Sequence, residues 1–164
     1  MDTPPIEAIA AQDGAAQAAL RDLNNANARE TSFLTTEDWQ ALVAGAFAAT
    51  CVADAAALLI TFDQEADYHS PNFKWFQARR SRFVYVDRIV VSDRNRGRGL
   101  AALLYRDLFE RSRAAGHDRV VCEVNLDPPN PGSDAFHAKM GFQETGRAEL
   151  EPGGKWVRYY EKLL

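Results

Sequence analysis

The chain has 164 residues, 46% of them hydrophobic and 26% charged, which predicts one soluble domain whose core needs no metal or disulfide. No stretch is apolar for the length of a membrane span, and the start does not resemble a signal peptide. Two cysteines, Cys51 and Cys122, indicate a reducing cytoplasm, and a pI of 5.4 without a long basic stripe argues against nucleic acid as the main partner.

The net charge of −4 is unevenly distributed along the chain. Residues 1–70 carry eleven Asp and Glu against two Arg, whereas residues 71–164 carry seventeen Lys and Arg against twelve Asp and Glu. A basic half suits a polyanionic cofactor and an acidic half suits a cationic co-substrate. Helix faces that simply differ in charge would give the same pattern.

Hydrophobic periodicity and turn residues predict seven strands and four helices. The predicted strands are residues 6–10, 47–52, 56–62, 83–91, 119–126, 142–150 and 156–164. The predicted helices are residues 13–25 with Asp13 as N-cap, a second from Thr35 or Thr36 through Val43, a third at 97–115, and a fourth from Ser133 to Gly141. The order β-α-α-β-β-β-α-β-α-β-β predicts an α/β (or α+β) fold, with a mixed sheet and helices on both faces.

Residues 68–76 are predicted to form an aromatic-rich loop between two strands. The stretch holds four aromatic residues, a histidine and an asparagine. Such a loop is a candidate wall of a substrate pocket. A loop that faces the core, or a contact between two copies of the chain in a homodimer, fits the same composition.

The turn Arg94-Asn95-Arg96-Gly97-Arg98-Gly99-Leu100 joins the fourth strand to the central helix. Glycines at such a turn let backbone N–H groups converge at the positive end of the helix dipole, which makes an anion site suited to a pyrophosphate. The alternate arginines add positive charge for a multiply phosphorylated ligand. A solvated basic turn that merely precedes a helix is the alternative without a function.

Other phosphate-binding motifs fit this turn less well. The Walker spacing and its lysine are absent. The spacing Gly97-x-Gly99-x-x-Ala102 fits a dinucleotide fingerprint, with Glu123 as the ribose-binding acid. Against that reading, five polar residues separate Val91 from Gly97, and the repeated βαβ units of the dinucleotide fold are missing.

Two motifs together resemble the GNAT acyltransferase superfamily. The first is Arg94-x-x-Gly97-x-Gly99, which resembles its phosphate-cradling motif. The second resembles the superfamily's signature at the thiol end of coenzyme A and comprises Asn130, Ser133, Phe136, His137 and the pair Gly141-Phe142. Segments around residues 70–73, 85–91 and 123–125 also resemble a bacterial branch of predicted acetyltransferases. This second resemblance does not identify the acceptor.

The resemblance covers essentially the whole chain, residues 1–164, as one domain. It implies direct transfer of an acetyl group from acetyl-CoA to an amine, without a covalent acyl-enzyme. The residues that it places at the cofactor are Ile89, Val90, Val91, Arg94, Arg96, Gly97, Arg98, Gly99, Leu100, Ala101, Asn130, Ser133 and Phe136. The main-chain groups of residues 89–91 are expected to face the cofactor where two central strands separate.

An acid and a base are expected for this reaction. Many relatives carry a tyrosine acid four residues before the Gly-Phe pair, where this chain has His137. His137 is predicted to protonate the leaving thiolate, although a packed residue that only contacts the cofactor remains an alternative. Asp87 and Glu123, on the two central strands, are the candidate bases. An ion pair with Arg88, or a water relay without a single base, are the alternatives.

The predicted function is therefore an acetyl-CoA-dependent N-acetyltransferase that acts on a small-molecule amine or an amino terminus, without a metal. The predicted substrate-contacting residues are Tyr68, Asn72, Trp75, Tyr85 and Asn125. The alternatives are a catalytically silent coenzyme A-binding sensor or subunit of the same fold, and a nicotinamide-dinucleotide protein.

Overall fold

A seven-stranded mixed sheet with five α-helices forms the computed structural model, which describes residues 2–164. The strands are β1 (Ile6–Ala8), β2 (Ala48–Val52), β3 (Ala57–Asp63), β4 (Val84–Val91), β5 (Arg119–Asp127), β6 (Gln143–Glu149) and β7 (Trp156–Leu163). The helices are α1 (Gly14–Ala26), α2 (Thr36–Ala44), α3 (Pro71–Gln77), α4 (Leu100–Ala114) and α5 (Pro131–Lys139). The spatial order of the strands is β1-β2-β3-β4-β5-β7-β6, and only β4 and β5 pair in parallel.

The sheet buries a separate hydrophobic cluster on each face, as the predicted mixed sheet with helices on both faces requires. On one face, Leu20, Trp39 and Phe73 bring α1, α2 and α3 onto the sheet. On the other, Leu104 of α4 and Phe142 after α5 pack on the sheet. We call these the α1–α3 face and the α4–α5 face. The α/β prediction is confirmed.

The first two helices begin where the sequence predicted. Asp13 accepts a hydrogen bond from the Ala16 N–H at 2.8 Å, and Thr35 accepts one from the Asp38 N–H at 3.1 Å. Each side chain satisfies a backbone donor that has no partner within its helix. No helix among the described residues combines the length and apolar character needed to cross a bilayer.

The predicted loop at residues 68–76 is wrong in its second half, which forms α3. Pro71 lies in the first turn, where its missing N–H is not needed. Phe73 and Phe76, three residues apart, are both fully buried. A helix of seven residues is too short for its periodicity to be separated from that of a loop.

Two other predicted helix starts are wrong. Helix α4 begins at Leu100 rather than at Gly97, because Gly97 and Gly99 have φ values of 75° and 77°, outside the right-handed helical region. Helix α5 is capped by Asn130, which accepts a hydrogen bond from the Ser133 N–H at 3.2 Å, so Ser133 is not the cap. Pro131 begins this helix, two residues before the predicted start at Ser133.

The sheet opens between its two central strands. β4 and β5 pair only at Val84–Val120 and Tyr85–Val121, and then they separate. β4 continues along β3, and β5 continues along β7. The result is a cleft that passes through the sheet and connects its two faces.

A β-bulge in β4 lies beside this cleft. Val86 pairs with Thr61 and Arg88 pairs with Ile60, so Asp87 is an extra residue without a partner on β3. The bulge interrupts the alternation of side chains. Asp87 and Arg88, although consecutive, therefore both project to the α1–α3 face, while Ile89 packs on the α4–α5 face.

Candidate active site

A pocket of about 600 Å³ occupies the cleft. It is lined by β4, by β5, by the connection between α1 and α2, and by the segment before α3. Tyr105 of α4 and the start of α5 close it on the α4–α5 face. The pocket thus joins the turn at residues 94–100, which we call the phosphate turn, on one face of the sheet to a polar chamber on the other.

The turn before α4 adjoins the pocket through Arg96, which lines one end of it. The first intrahelical bond of α4 runs from the Leu103 N–H to the Gly99 carbonyl. Among the described residues, the N–H groups of Leu100, Ala101 and Ala102 have no acceptor, and no side chain caps the helix. Unpaired donors at the positive end of a helix are the kind of group that can bind an anion.

The residues predicted for the cofactor lie in three places. Pocket-lining members are Ile89, Val90, Val91, Arg96, Asn130 and Ser133. Members within the turn or first helical residues are Arg94, Gly97, Arg98, Gly99, Leu100 and Ala101. Phe136 does not line the pocket and packs against the Tyr105 ring at 5.6 Å. The fold therefore brings the turn, the inner edge of β4 and the start of α5 to one cleft.

Glu123 occupies the α1–α3 side of the pocket within a hydrogen-bonded network. The Tyr85 hydroxyl donates to both carboxylate oxygens, at 3.0 and 2.8 Å, and the Asn72 side-chain amide donates to Oε1 at 3.0 Å. The Tyr159 hydroxyl donates to Asn72 Oδ1 at 2.9 Å, which turns the amide nitrogen toward Glu123.

The environment of Glu123 favours its protonated form. Removal from water raises the pKa of Glu123 from 4.5 to about 8, and the nearby charge of Asp87 acts in the same direction. The hydrogen bonds from Tyr85 and Asn72 oppose this rise without cancelling it. A carboxylate with a pKa near 8 is matched to removing a proton from an amine near neutral pH.

Asp87 is held more tightly than Glu123. One carboxylate oxygen accepts a hydrogen bond from the Tyr68 hydroxyl at 2.5 Å, and the other accepts one from Arg88 Nε at 2.7 Å. The side chains of Asp87 and Arg88 are 6% and 5% exposed. Both oxygens of Asp87 are thus engaged, and its charge is balanced by a buried arginine.

His137 lies on the α4–α5 side of the pocket with both ring nitrogens engaged. Nδ1 is 2.8 Å from the Ser133 carbonyl, which can only accept, so Nδ1 carries the proton. Nε2 is 2.8 Å from the Tyr105 hydroxyl and accepts from it. Burial lowers the pKa of His137 below 6.5, against the Ser133 bond and the Asp134 charge. The ring is therefore neutral at pH 7.

The five residues predicted for the substrate do not all reach the pocket. Tyr68, Asn72 and Asn125 line it, whereas Tyr85 is fully buried and reaches it only through Glu123. Trp75 lies outside the pocket lining. Its ring stacks on the Tyr159 ring with 4.1 Å between the ring centroids, and the Arg79 guanidinium lies 4.1 Å from the Trp75 centroid. Trp75 is part of the α1–α3 face rather than of the chamber.

Three residues of the site escaped the sequence analysis. Tyr105 was assigned only to a helix, although an aromatic hydroxyl on an inward helix face is a signal of a buried polar contact. Tyr159 is predicted only as part of a strand, and its contact with Asn72 depends on α3. Arg88 appears only as an alternative ion-pair partner, because its orientation depends on the bulge.

Comparisons with known proteins agree with this geometry. The model of the acetyltransferase (GNAT) family matches residues 55–142, which is more than half of the chain. No curated protein matches the chain in sequence.

Among solved structures, Arabidopsis thaliana NAA60 in complex with acetyl-CoA aligns with a TM-score of 0.72 at 14% identity, over 99% of this chain and 100% of that chain. A GNAT-family acetyltransferase from Streptococcus pneumoniae aligns with a TM-score of 0.67 at 19% identity, over 99% and 100%. The ribosomal-protein-S18-alanine N-acetyltransferase from Escherichia coli aligns with a TM-score of 0.66 at 13% identity, over 98% of this chain and 94% of that chain. These likenesses show the fold, and with the family match they show that the chain belongs to the GNAT family of acetyltransferases.

Proposed function

We propose that this GNAT acetyltransferase moves an acetyl group directly from acetyl-CoA to an amine of a small molecule or an amino terminus. The observation that carries the proposal is the cleft between β4 and β5, because one continuous pocket joins the phosphate turn to Glu123. A donor held from the α4–α5 face and an acceptor held from the α1–α3 face would meet inside it. This arrangement needs no covalent acyl-enzyme.

The residues present fit acetyl-CoA. The free N–H groups of residues 100–102 and the side chain of Arg96 would hold the pyrophosphate. Beyond Tyr85, β4 has no pairing with β5, so its main chain is available to hydrogen-bond the pantetheine arm. When bound, acetyl-CoA supplies an activated thioester. The family match and the acetyl-CoA complex of NAA60 support the same donor.

Glu123 is the residue that we assign as general base. It lines the pocket, and its raised pKa allows it to take a proton from an amine near pH 8. Tyr85 and Asn72 hold the carboxylate in place and leave Oε2 with a single protein donor. Asp87 is the weaker candidate, because Tyr68 and Arg88 already occupy its two oxygens.

The acid role of His137 stays a prediction, and the hydrogen bonds of the ring weigh against it, because the Nδ1 proton is held by the Ser133 carbonyl and Nε2 accepts from Tyr105. A base with a pKa near 8 and an acid with a pKa below 6.5 are in their active forms together in only a small fraction of molecules. We propose instead that His137 orients the Tyr105 hydroxyl, and that a solvent molecule protonates the thiolate. A hydrogen-bonded neutral ring is suited to that positioning role.

A silent coenzyme A-binding protein is the second candidate. The observation that favours it is the protonation of both candidate groups: at pH 7 Glu123 holds its proton and His137 has none to spare. Such a protein would bind acetyl-CoA through the same turn and cleft without turning it over.

Thiol release from acetyl-CoA separates the two candidates. The acceptors would be a pool of polyamines, amino acids and short peptides with free amino termini, assayed from pH 6 to 9 beside a no-acceptor blank. Acceptor-dependent release that increases toward pH 8 is expected of the transferase. Acetyl-CoA binding without release from any acceptor would contradict the transferase and support the sensor, while a melting shift with NAD but not acetyl-CoA would contradict both.

A further inference from the structure

A buried network joins β4 to the connection between α1 and α2. The Arg88 guanidinium donates to Asp87 Oδ2 at 2.7 Å, to Asn24 Oδ1 at 2.9 Å and to Ser32 Oγ at 3.4 Å. Arg88 is 6% exposed and Asn24 is not exposed at all. One guanidinium therefore contacts the bulge, helix α1 and the α1–α2 connection at the same time.

Asn24 fastens the same connection a second time. Its side-chain amide nitrogen donates to the Ser32 carbonyl at 2.8 Å, and its main-chain carbonyl accepts from the Thr31 hydroxyl at 3.4 Å. The connection is residues 27–35, of which Asn27, Glu30, Thr31 and Ser32 line the pocket. Arg88 and Asn24 thus hold one wall of the chamber that contains Glu123.

The network also reaches the opposite wall. Asp87, which pairs with Arg88, accepts a hydrogen bond from the Tyr68 hydroxyl, and Tyr68 lines the pocket from the segment before α3. Arg88 is oriented toward these groups only because the bulge at Asp87 turns it to the α1–α3 face. A regular strand would direct Arg88 to the α4–α5 face, since side chains alternate along a strand.

We propose that Arg88, through Asn24 and Ser32, is a positioning residue that fixes the acceptor wall at residues 27–35 and thereby sets acceptor affinity. The inference rests on the proposed function, since it concerns the acceptor of the same site. Within residues 2–164, the side-chain hydrogen bonds of Arg88 go to Asp87, Asn24 and Ser32, and none goes to the phosphate turn or to α5. We therefore expect acetyl-CoA binding to be independent of Arg88. A change in acceptor affinity without a change in acetyl-CoA affinity is the signature of this role.

Two substitutions test the contact from its two ends. Arg88→Lys keeps a positive charge beside Asp87 but loses the fork that reaches Asn24 and Ser32. Asn24→Ala keeps the ion pair of Arg88 with Asp87 and removes the side-chain hydrogen bonds of Asn24 to Arg88 and to the Ser32 carbonyl, so that Arg88 reaches the connection only through Ser32 Oγ. Each should raise the KM for the best amine of the pool by about tenfold, because a connection that is no longer held in place must be ordered when the amine binds. The kcat and the acetyl-CoA melting shift should remain close to the wild-type values.

Thr61→Val is the matched control. Thr61 is fully buried and polar, and its hydroxyl accepts from the Ala48 N–H at 3.0 Å and donates to the Ala48 carbonyl at 2.9 Å, away from the pocket lining. It should lower stability without changing the acceptor KM. An unchanged acceptor KM in both Arg88→Lys and Asn24→Ala, or an equal rise in Thr61→Val, would overturn the inference.

Amide hydrogen exchange gives a readout that needs no turnover. Residues 27–35 should lose protection in Arg88→Lys and Asn24→Ala but not in Thr61→Val. If the wild-type protein acetylates no amine, the proposed function fails by that result alone. Unchanged exchange of residues 27–35 in both variants overturns the positioning role whether or not any amine is acetylated.

Discussion

At the scale of single residues, Glu123 makes the most testable statement about protonation. Its pKa rises from 4.5 to about 8 on folding because the carboxylate loses water. The native state therefore keeps a proton that the unfolded chain releases above pH 4.5, so this group's contribution to stability falls as pH rises from 4.5 to 8.

Glu123→Gln should remove that dependence. Relative to the wild type, the variant should gain free energy of unfolding by up to about 1.4 kcal/mol per pH unit between those two pKa values, and no more above pH 8. Urea unfolding of both proteins at several pH values measures the difference. A difference that stays constant with pH would show that the pKa of Glu123 is not raised.

The role of His137 is tested by the alkaline side of the pH–rate profile. If the ring only orients Tyr105, His137→Gln should lower kcat by about tenfold or less and leave the shape of the profile unchanged. A general acid would instead cost about 10²- to 10⁴-fold and take the alkaline limb with it. Tyr105→Phe, which removes the hydroxyl that His137 holds, should then give a loss similar to that of His137→Gln.

At the scale of elements, the turn before α4 combines two glycines with unpaired helix donors. Gly97 has a φ of 75° and open space around its Cβ position. Gly97→Glu should abolish the acetyl-CoA melting shift, because it places a negative side chain beside the N–H groups of residues 100–102. The backbone strain should cost about 1–2 kcal/mol of stability.

Gly153→Glu is the control for that strain. Gly153 has a φ of 70° and equally open surroundings, but it lies in the turn between β6 and β7. At about 100 times its dissociation constant, acetyl-CoA should raise the melting temperature of wild type and Gly153→Glu by roughly 5–10 °C. A full shift in Gly97→Glu would contradict the assignment of the phosphate turn.

The sequence predicted the elements better than it predicted their ends. Asp13 and Thr35 are caps by local chemistry, and both were readable from side-chain type and spacing. The start of α4 could not be predicted in this way, because glycine is compatible with both helix and turn. Only the observed φ values of Gly97 and Gly99 show that the helix begins after them. Helix α3 was missed because its buried Phe73 and Phe76 report packing, which a local pattern does not contain.

The residues of the candidate site also fall into two groups, those that the sequence could predict and those that depend on the folded structure. The phosphate turn was predicted from residue type and spacing, Glu123 from its place on a central strand, and His137 from the resemblance to the GNAT signature. The pairing of Asp87 with Arg88 depends on a bulge, and a pattern of period two cannot show which residue of a strand is extra. Trp75 was predicted to contact the substrate because it follows pocket residues along the chain. In the structure it packs against Tyr159 and Arg79 instead.

For the molecule as a whole, the acidic residues of the first half that the structure describes reach the pocket only through Glu30. Glu30 lines the pocket, whereas the charge of Asp87 is balanced by Arg88. The cytoplasmic location, the bacterial branch and the homodimer stay predictions. If the amine binds on the Glu30 side of the pocket, as we propose, the charge of Glu30 predicts that a cationic amine is preferred.

Ionic strength tests this preference. The KM of a cationic acceptor should rise as added salt shortens the Debye length from about 30 Å to about 10 Å, while the KM of a neutral amine stays constant. A neutral or anionic acceptor as the best member of the pool would refute the electrostatic part of the account.

We propose that Glu123, at the opening between β4 and β5, serves direct acetyl transfer from acetyl-CoA to an amine. The most direct measurement is the formation of acetylated amine by wild type and Glu123→Gln across pH 6 to 9, detected by mass spectrometry. The account predicts a wild-type rate that rises with an apparent pKa near 8 and a variant that loses this rise together with about 10²-fold or more of the rate. A Glu123→Gln variant with the wild-type rate and the wild-type profile would contradict it.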